Sequence, residues 1–530
     1  MECSMASQLP HEAGSPRSPQ LKPDAPNWLQ LLQGRFGCNV FEIRLTEHRG
    51  ITLNQLRQAV SFMRIHCCKL HDTAPSKYSR TSGQKLDMEF MNLYHVNEWL
   101  IKPSTKSHNC AFVELVAATD QPPRWYTSHW WGEPVEDFVK CLELHAELRI
   151  LSDPDAWWIC AYANRQHDLG SELVTDPKQT SFYRAMLLSE GLLLVVDSGS
   201  GNYDPGTVFS RIWVQFEMAM TFEFTETQDF QLDIATTCNS EPFLLRHGIC
   251  DSQSWHEDKY LRPRGCGGNM STGTCCVNHY CCSCTGPKTV AHVKARLCSQ
   301  HFPVDAMETA LTAEIEKAAA TCEEDRRRIL NCIAKRPYLE LDQEVLPGHE
   351  SYVLTDGRFR SHLAHALWPM AVRTGKVRAL GVGPALAMNK TRQSLQLSLV
   401  GLGQEDLEGL CTAIAGLDML ADVTLHFRRS SILSLAPLAQ ALSNLVNLKY
   451  LEIILSGSEQ LRELGPFAAV VAGMPMHSSC HFNFNSCSQL STGELSPTCF
   501  ALQNRVQAGL ASRGMARIYA YNCKDISCEM

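Results

Sequence analysis

The sequence predicts an α/β protein in which a parallel sheet covered by helices is followed by a C-terminal α/β solenoid of repeats. Two observations carry this prediction. Strand-length apolar runs alternate with helix-length amphipathic runs between residues 121 and 240, a pattern typical of a parallel sheet with helices on both faces. Apolar residues then recur every 28 residues between residues 395 and 455, and a fixed period of this size is typical of repeat architectures.

The composition is that of a large globular protein. The chain has 530 residues, of which 44% are hydrophobic and 20% charged, and this length predicts several domains. A net charge of -8 gives no general attraction to phosphate backbones, so nucleic acid is not an expected partner. The N-terminus lacks the features of a signal peptide, and no long uninterrupted apolar run follows. We therefore expect a cytoplasmic protein with reduced cysteines and no membrane contact.

The first part of the chain predicts a tail and a mixed region. Residues 1–26 are rich in Pro, Ser and Gly, which predicts a disordered tail. Residues 27–120 form an N-terminal mixed α/β region in which a helix, L-N-Q-L-R-Q-A-V-S-F-M-R-I, lies between two strand candidates, F-E-I-R-L and C-A-F-V-E-L-V-A. This region is either a separate domain or an extension of the sheet that follows.

The central block, residues 121–240, predicts the functional site. Its predicted strands are Arg124–Ser128, Trp157–Ala163, Gly191–Val196 and Phe230–Ala235, and its predicted helices are Val135–Leu151, Ser181–Ser189 and Val208–Met220. Right-handed crossovers bring the carboxyl ends of parallel strands to one edge, and ligands bind beyond that edge. The residues at or after these strand ends are therefore the candidate ligand-binding residues: Ser128, His129 and Trp131, then Asn164, then Asp197.

The helix that follows the third strand adds a carboxylate to the candidate site. Glu217 lies four residues after Trp213, so the two side chains share one side of the helix. A carboxylate that packs against an aromatic ring loses hydration, which raises its pKa and suits it to act on a ligand. We therefore add Trp213 to the ligand-binding set and take Glu217 as the candidate catalytic residue.

These residues resemble a known family. The order of elements, with S-x-x-W-x-x-x-E on the last helix, is similar to a flavodoxin-like TIR domain of the Toll/interleukin receptor and plant resistance type. Many TIR domains have Trp-Cys-x-x-Glu-Leu where this chain has W-V-Q-F-E-M, from Trp213 to Met218. In TIR domains that cleave NAD this Glu is catalytic, so the resemblance implies a catalytic Glu217 and NAD as a possible substrate. Because TIR domains also serve as assembly surfaces, it implies possible self-association as well.

The block departs from the family in two places. S-H-W-W-G follows the first strand instead of the usual small residues, and the loop after Asn164 is long and unlike the usual BB loop. As a whole the block resembles TIR-like variants of multi-domain protist proteins.

Each candidate also has a structural interpretation. Glu217 could end the polar edge of its helix or pair with Arg211, and His129 could be a hydrogen-bonded structural histidine. Asp197 could cap the turn that follows it, and the tryptophans could serve packing alone. A separate hypothesis is a hydrolase that uses Cys141 or Cys160 with His129 or His145. Cys141 and His145 lie four residues apart on one predicted helix, and packing explains that spacing equally well.

Residues 241–300 form a Cys-rich insertion or linker. Cys281-x-x-Cys284 has the local spacing of a zinc site, since zinc takes four S or N ligands. The second ligand pair is ambiguous, and a flexible thiol-rich insertion without metal is the alternative. Residues 301–380 then predict a helical connector, with helical signals from Ala306 to Arg336 and from His362 to Trp368.

Residues 381–530 contain the clearest regularity in the chain. Leu395, Leu397 and Leu399 recur 28 residues later as Val423, Leu425 and Phe427, and 28 residues later again as Leu451, Ile453 and Leu455. The pattern resembles leucine-rich repeats of the ribonuclease-inhibitor type, and a fourth and a looser fifth copy follow. Arg428 and Ser456 stand where that family has an Asn or Cys ladder. The resemblance implies recognition of a protein partner by these repeats.

Two functions follow from this organisation. The first is an intracellular signalling or interaction protein that couples the TIR-like module to a leucine-rich-repeat recognition surface. The alternative is an NAD glycohydrolase with Glu217 as the catalytic carboxylate. The chain contains no G-x-x-x-x-G-K-[ST] motif, so we do not expect a receptor that is switched by ATP exchange.

Overall fold

The computed structural model describes residues 21–36, 40–73, 82–172, 174–199, 205–246, 291, 294–295, 298–299, 301–508, 516–523 and 526–529. The tail predicted for residues 1–26 falls largely outside these residues, and the zinc site predicted at Cys281 and Cys284 falls entirely outside them. The described residues form two compact units, the first ending at Thr355 and the second beginning at Asp356.

The first unit contains a mixed sheet with a parallel centre. Its strands are β1 (Ile51–Thr52), β2 (Trp125–Ser128), β3 (Ala156–Trp158), β4 (Gly191–Val196), β5 (Gln231–Cys238) and β6 (Glu241–Leu245). They lie in the order β1-β3-β2-β4-β5-β6. The four middle strands run parallel, whereas β1 and β6 are antiparallel to their neighbours. The predicted α/β class with a parallel sheet is therefore confirmed.

Helices cover this sheet and precede it. They are α1 (Pro26–Phe36), α2 (Leu53–His66), α3 (Leu93–Val96), α4 (Lys102–Thr105), α5 (Phe112–Val116), α6 (Val135–Arg149), α7 (Cys160–Ala163), α8 (Leu169–Glu172), α9 (Ser181–Leu188), α10 (Ile212–Thr227), α11 (Glu308–Thr312) and α12 (Glu323–Ile333). A π-helical turn, Asn97–Ile101, joins α3 to α4. Thr52 and Gln55 form a capping box that fixes the start of α2.

The N-terminal region shares its core with the sheet. Strand β1 pairs with β3, and Trp28 and Trp99 belong to the same buried apolar cluster as Leu142 and Leu193. Burial of such large side chains against the sheet is the main favourable contribution to folding. Residues 27–120 thus add a strand and a helical layer to the central sheet.

Several predicted elements differ from the observed ones. Residues 41–45 form no strand, and the strand predicted at residues 110–117 is the helix α5. The Glu114 carboxylate accepts the backbone N–H of Ala111 at 2.7 Å and that of Ile43 at 2.9 Å, which favours a helix start over a strand. The single helical run predicted from Ala306 to Arg336 is divided into α11, α12 and 3-10 turns.

The strand predicted at Trp157–Ala163 ends early. Strand β3 stops at Trp158, and the chain turns at once into α7. The Gln166 amide donates to the carbonyl of Ala161 at 3.0 Å, so this side chain satisfies an orphan carbonyl at the end of the short helix. The apolar composition of the segment reflects burial in both elements and therefore does not distinguish them.

The second unit contains a regular sheet and its connecting helices. Its strands are β7 (Ser394–Val400), β8 (Asp422–Arg428), β9 (Tyr450–Ile454), β10 (Ser479–Asn483), β11 (Ala516–Cys523) and β12 (Ile526–Glu529). Its helices are α13 (Glu350–Thr374), which begins in the first unit, α14 (Val382–Leu386), α15 (Gln404–Ala415), α16 (Ala436–Ser443), α17 (Phe467–Gly473) and α18 (Thr492–Gln507). The helix predicted at His362–Trp368 lies within α13.

Strands β7 to β11 are parallel, each beside the next along the chain, and β12 is antiparallel to β11. The register follows the 28-residue period, since Leu395 lies opposite Val423 and Val423 lies opposite Leu451. The strand positions predicted from that period are therefore confirmed. Among the helices of the described residues, none has the combination of length and apolar composition needed to traverse a bilayer.

Candidate functional site

A small cavity of about 70 Å³ lies in the first unit, at the carboxyl end of β2. The residues around it come from β2 and the loop after it, from α7 and α9, from the start of α10, and from the start of α12 and the segment before it. They are Tyr126, Thr127, Ser128, His129, Trp130, Trp131, Cys160, Phe182, Arg211, Ile212, Trp213, Val214, Glu217, Ala319, Ala320, Thr321 and Asp325. A cavity of this size accommodates a few water molecules.

Glu217 is the carboxylate of this cavity. Its two oxygens accept hydrogen bonds from the hydroxyl groups of Tyr126, at 2.5 Å, and of Ser128. These two donors lie two residues apart on β2, so both point to the same face of the strand. The Glu217 side chain is buried, and its orientation is fixed by both bonds.

The environment of Glu217 raises the pKa of its carboxyl group to about 7. Burial raises the pKa of Glu217 to about 7, against an opposing effect of the hydrogen bonds from Ser128 and Tyr126. Burial, followed by the nearby Glu217 charge, raises the pKa of Tyr126 well above its usual value, so the phenol remains protonated. A carboxyl group with a pKa near 7 is suited to exchange a proton or to stabilise a cation.

A series of packed aromatic rings begins at Tyr126, which is hydrogen-bonded to the Glu217 carboxylate. The Tyr126 ring stacks on Trp158 with centroids 5.4 Å apart, and Trp158 meets the edge of Phe182 at 5.1 Å. Phe182 in turn stacks on Trp213 at 5.0 Å. This continuous packing links β2, β3, α9 and α10, and it restricts the positions of the groups around Glu217.

Asp197 fixes the 3-10 turn, Thr207–Ser210, that precedes the helix carrying Glu217. Its carboxylate accepts the backbone N–H groups of Thr207, at 3.2 Å, and Val208, at 3.0 Å. Gly206, in a left-handed conformation with φ of 80°, closes the same turn by donating to the Asp197 carbonyl at 3.0 Å. Burial raises the pKa of Asp197, and the hydrogen bonds from Val208 and Thr207 oppose that rise.

The structure brings together most of the sequence-predicted site residues. Ser128, His129, Trp131, Trp213 and Glu217 all line the cavity. The cavity lining includes neither Asn164 nor Asp197. Asn164 is buried and accepts a hydrogen bond from Ser181 at 3.1 Å, because the early end of β3 places α7 between that strand and Asn164.

His129 and Trp131 have structural contacts within the cavity wall. Burial lowers the pKa of His129 to about 4, so the imidazole is neutral near pH 7, and its ring packs on Phe138 with centroids 4.7 Å apart. The indole N–H of Trp131 lies 3.3 Å from the sulfur of Cys160. An imidazole with a pKa of about 4 is a weak base, so His129 fits a structural role better than general base catalysis.

Sequence reasoning missed several residues of the cavity, among them Tyr126, Arg211, Thr321 and Asp325. Tyr126 could have been found, since it lies two positions before Ser128 and therefore on the same face of β2. From the sequence, Arg211 enters only as a pairing partner of Glu217. Thr321 and Asp325 come from a distant part of the chain, and no local pattern assigns them to this sheet edge. Burial raises the pKa of Asp325, and the indole N–H of Trp213 opposes that rise.

Other buried polar groups of this unit lie outside the cavity. Cys141 is fully buried, which raises its pKa well above the usual value. His145 lies 3.2 Å from the indole nitrogen of Trp157 and 3.3 Å from the Asp233 carboxylate. These contacts give Cys141 and His145 the surroundings of structural groups. Within the described ranges, no cluster of three or more His, Cys, Asp and Glu side chains is arranged to hold a metal ion.

Comparisons of the chain with models of protein families, with curated proteins and with solved structures found no match. The functional interpretation therefore depends on the geometry around Glu217 and on the sequence patterns described above.

Proposed function

We propose that this chain is a signalling or interaction protein in which a TIR-like α/β domain binds a small ligand at Glu217. The observation that carries the proposal is the position of Glu217, hydrogen-bonded to Ser128 and Tyr126 in a cavity at the carboxyl end of β2. Ligands of open α/β sheets bind at this edge, where the strand order reverses.

The strand order supports the TIR-like assignment. The parallel strands lie in the order β3-β2-β4-β5, so the first of them along the chain lies between the second and the third. This is the order of flavodoxin-like sheets, whose ligand site lies between the first and third strands. The pair β2 and β4 occupies that position here.

The second unit supports the recognition half of the proposal. Strands β7 to β11 follow one another in parallel with a helix between each pair of neighbours, as expected of a leucine-rich-repeat solenoid. Polar side chains alternate with apolar ones along these strands, and Glu452 on β9 and His481 on β10 are partly exposed. A row of side chains presented by parallel strands is an extended surface suited to a protein partner.

A second candidate function is NAD hydrolysis at the same cavity. The specific observation in its favour is a buried carboxylate beside aromatic rings, with its pKa raised to about 7. In this reaction the bond between the ribose and nicotinamide breaks, and the electron pair leaves with nicotinamide. Ionised Glu217 would stabilise the ribosyl cation until water adds to it and loses a proton.

One experiment tests both candidates. Purified wild-type protein, Glu217→Gln and the control Glu223→Gln are incubated with NAD at concentrations that permit self-association. Glu223 lies on the same helix but is exposed and pairs with Lys178. Nicotinamide release and heats of NAD binding are measured separately.

For the hydrolase we expect the Glu217→Gln variant to lose about 100-fold or more in rate while the Glu223→Gln variant matches wild type. Binding without release supports the ligand-binding signalling protein and excludes the hydrolase. Release that survives in Glu217→Gln excludes Glu217 as the catalytic residue, and absence of both signals excludes NAD as the ligand.

A further inference from the structure

One wall of the Glu217 cavity comes from a short segment far along the chain. Residues Ala319–Thr321, called the strap below, lie beside the start of α10 and line the cavity. Asp325, at the start of α12, continues the same wall. The strap is thus part of the cavity that contains Glu217.

Few bonds hold the strap against α10. The backbone N–H of Ala319 donates to the Ser210 carbonyl at 2.7 Å, and Ile212 N–H donates to the Ala319 carbonyl at 2.9 Å. Arg211 donates a third hydrogen bond, at 3.3 Å, to the Thr321 hydroxyl. Each such bond contributes little net stability, because the same groups bond to water when the strap is open.

The strap has little buried apolar surface, whereas the chain on both sides of it is packed in the core. Ala319 and Thr321 are exposed and Ala320 is half-buried, so opening the strap exposes little apolar surface. On either side, Ile315 and Ile329 are fully buried. A segment with few buried contacts between two packed anchors is of the kind that opens locally without global unfolding.

The preceding turn is clamped independently of α10. The guanidinium of Arg326 donates to the carbonyl of Glu316 and, at 3.2 Å, to that of Ala318. These bonds remain when the contacts of Ala319 and Thr321 with α10 break. The strap can therefore separate from α10 while its N-terminal end stays in place.

From these contacts we infer that the strap is a gate which controls access to Glu217. The inference rests on the proposed function in taking this cavity as the ligand site. With the strap closed, the cavity of about 70 Å³ is smaller than a nucleotide requires, since sites for such ligands enclose roughly 300–1,000 Å³. Opening of the strap removes one wall and enlarges the site, as loop opening does in many enzymes.

Cys160 provides a readout of gate opening that does not depend on activity. Cys160 lines the cavity and is partly exposed, so the difference between its alkylation rates in the variants and in wild type, followed by iodoacetamide labelling and peptide mass spectrometry, reports access through the gate. Cys238 is exposed and Cys141 is fully buried. Their rates report reagent reactivity and global unfolding, respectively.

The test compares Thr321→Val, which removes the hydroxyl bonded by Arg211, with Thr321→Ser, which keeps it. We expect Cys160 to be alkylated roughly fivefold faster in the Val variant, the effect of losing one hydrogen bond, and at the wild-type rate in the Ser variant. Ala319→Pro removes the N–H bonded to Ser210, and the extended backbone of Ala318 (ψ 137°) accepts a following proline. We expect this variant to react faster as well.

The outcomes separate the gate from the proposed function. Equal Cys160 rates in all variants, with Cys141 unreactive, overturn the gate. Faster alkylation without faster nicotinamide release in a protein that cleaves NAD also overturns it. Faster alkylation accompanied by a fivefold faster release supports it. Faster alkylation when neither wild type nor variants bind or cleave NAD supports opening of the cavity and overturns NAD as its ligand.

Discussion

The two sheets of this protein differ in where they keep their polar side chains. The parallel sheet of the first unit buries carboxylates, among them Glu217 and Asp233, within or against its core. The repeat sheet of the second unit alternates buried leucines such as Leu397 with more accessible polar residues such as Ser398. Buried ionisable groups lower stability unless they are paired. The first sheet therefore contains buried carboxylates whose effect on stability depends on their partners, whereas the second sheet is stabilised mainly by regular apolar packing.

Removal of the buried Asp233 carboxylate should lower the free energy of unfolding more than any other change considered below. Arg149 donates two hydrogen bonds, both 2.7 Å long, to Asp233, and His145 also lies beside it. We expect Asp233→Asn to lower the free energy of unfolding by roughly 3–5 kcal/mol, because it leaves a buried guanidinium without its counter-charge. Urea denaturation measures this. Glu143→Gln, which breaks an exposed pair with Arg57, should cost less than about 1 kcal/mol. Equal losses would contradict the contrast between buried and exposed pairs.

The repeat sheet should be most sensitive to loss of apolar volume. Leu425 is fully buried on β8, and Leu425→Ala should lower the free energy of unfolding by roughly 2–5 kcal/mol through lost transfer energy and a residual cavity. Thermal and urea unfolding measure the change. Val446→Ala, at a position with 79% exposure, is the matched control and should change stability little. A Leu425→Ala variant as stable as this control would show that the repeat core does not stabilise the unit.

The buried carboxylate of the cavity should make stability depend on pH. Since the folded-state pKa of Glu217 is raised to about 7, the folded protein holds this proton more tightly than the unfolded chain. Stability from this group is complete below pH of about 4.5 and falls as pH rises to about 7, by roughly 2–3 kcal/mol. Urea denaturation across this range measures the slope. Glu217→Gln should reduce it, and an unchanged slope would assign the dependence to other groups.

We expect the smallest change in the free energy of unfolding when a polar contact on the repeat sheet is removed. Glu452 accepts from the Tyr450 hydroxyl and lies 3.2 Å from a ring nitrogen of His426. The hydrogen bond with His426, followed by that from Tyr450, lowers its pKa against the opposing effect of burial. The stabilisation is therefore present above the ordinary pKa of Glu and is lost as pH falls through the lowered one.

We expect Glu452→Gln to lower the free energy of unfolding at pH 7 by about 1 kcal/mol. Urea denaturation at pH 7 and at low pH measures the difference, which should shrink in acid. A loss as large as that of Leu425→Ala would contradict the contrast between the polar side and the core of this sheet.

The same contrast explains how much the sequence could predict. In the repeat region, the alternation of side chains and the 28-residue period report the same strands independently, so the paired positions could be predicted residue by residue. In the first unit, the predicted bounds of Gly191–Val196 match the observed ones because the run is short, apolar and ends at Asp197. The end of β3 could not be predicted, since the run is apolar throughout and Gln166, which bonds Ala161 after the chain has turned, lies outside it.

The candidate site was predictable only where its residues follow local rules. Trp213 and Glu217 are one helical turn apart, and Ser128 ends a strand, so periodicity brings them to one edge. Thr321 and Asp325 reach the cavity through the packing of α12 on α10, which no local period specifies. The strap could not be predicted from the sequence either, because the same long-range packing places it beside the cavity.

The strands at the borders of the two sheets have a consequence for assembly in concentrated solution. An open edge offers unpaired N–H and C=O groups on which another chain can add a strand, and this is a route to aggregation. Strand β1 has only two residues, and β12 only four, so both are poor templates. On β7, a ring nitrogen of His365 lies 2.6 Å from the Gln396 carbonyl oxygen, which occupies a position that an added strand would need. These three border strands therefore oppose strand-to-strand polymerisation of the folded protein.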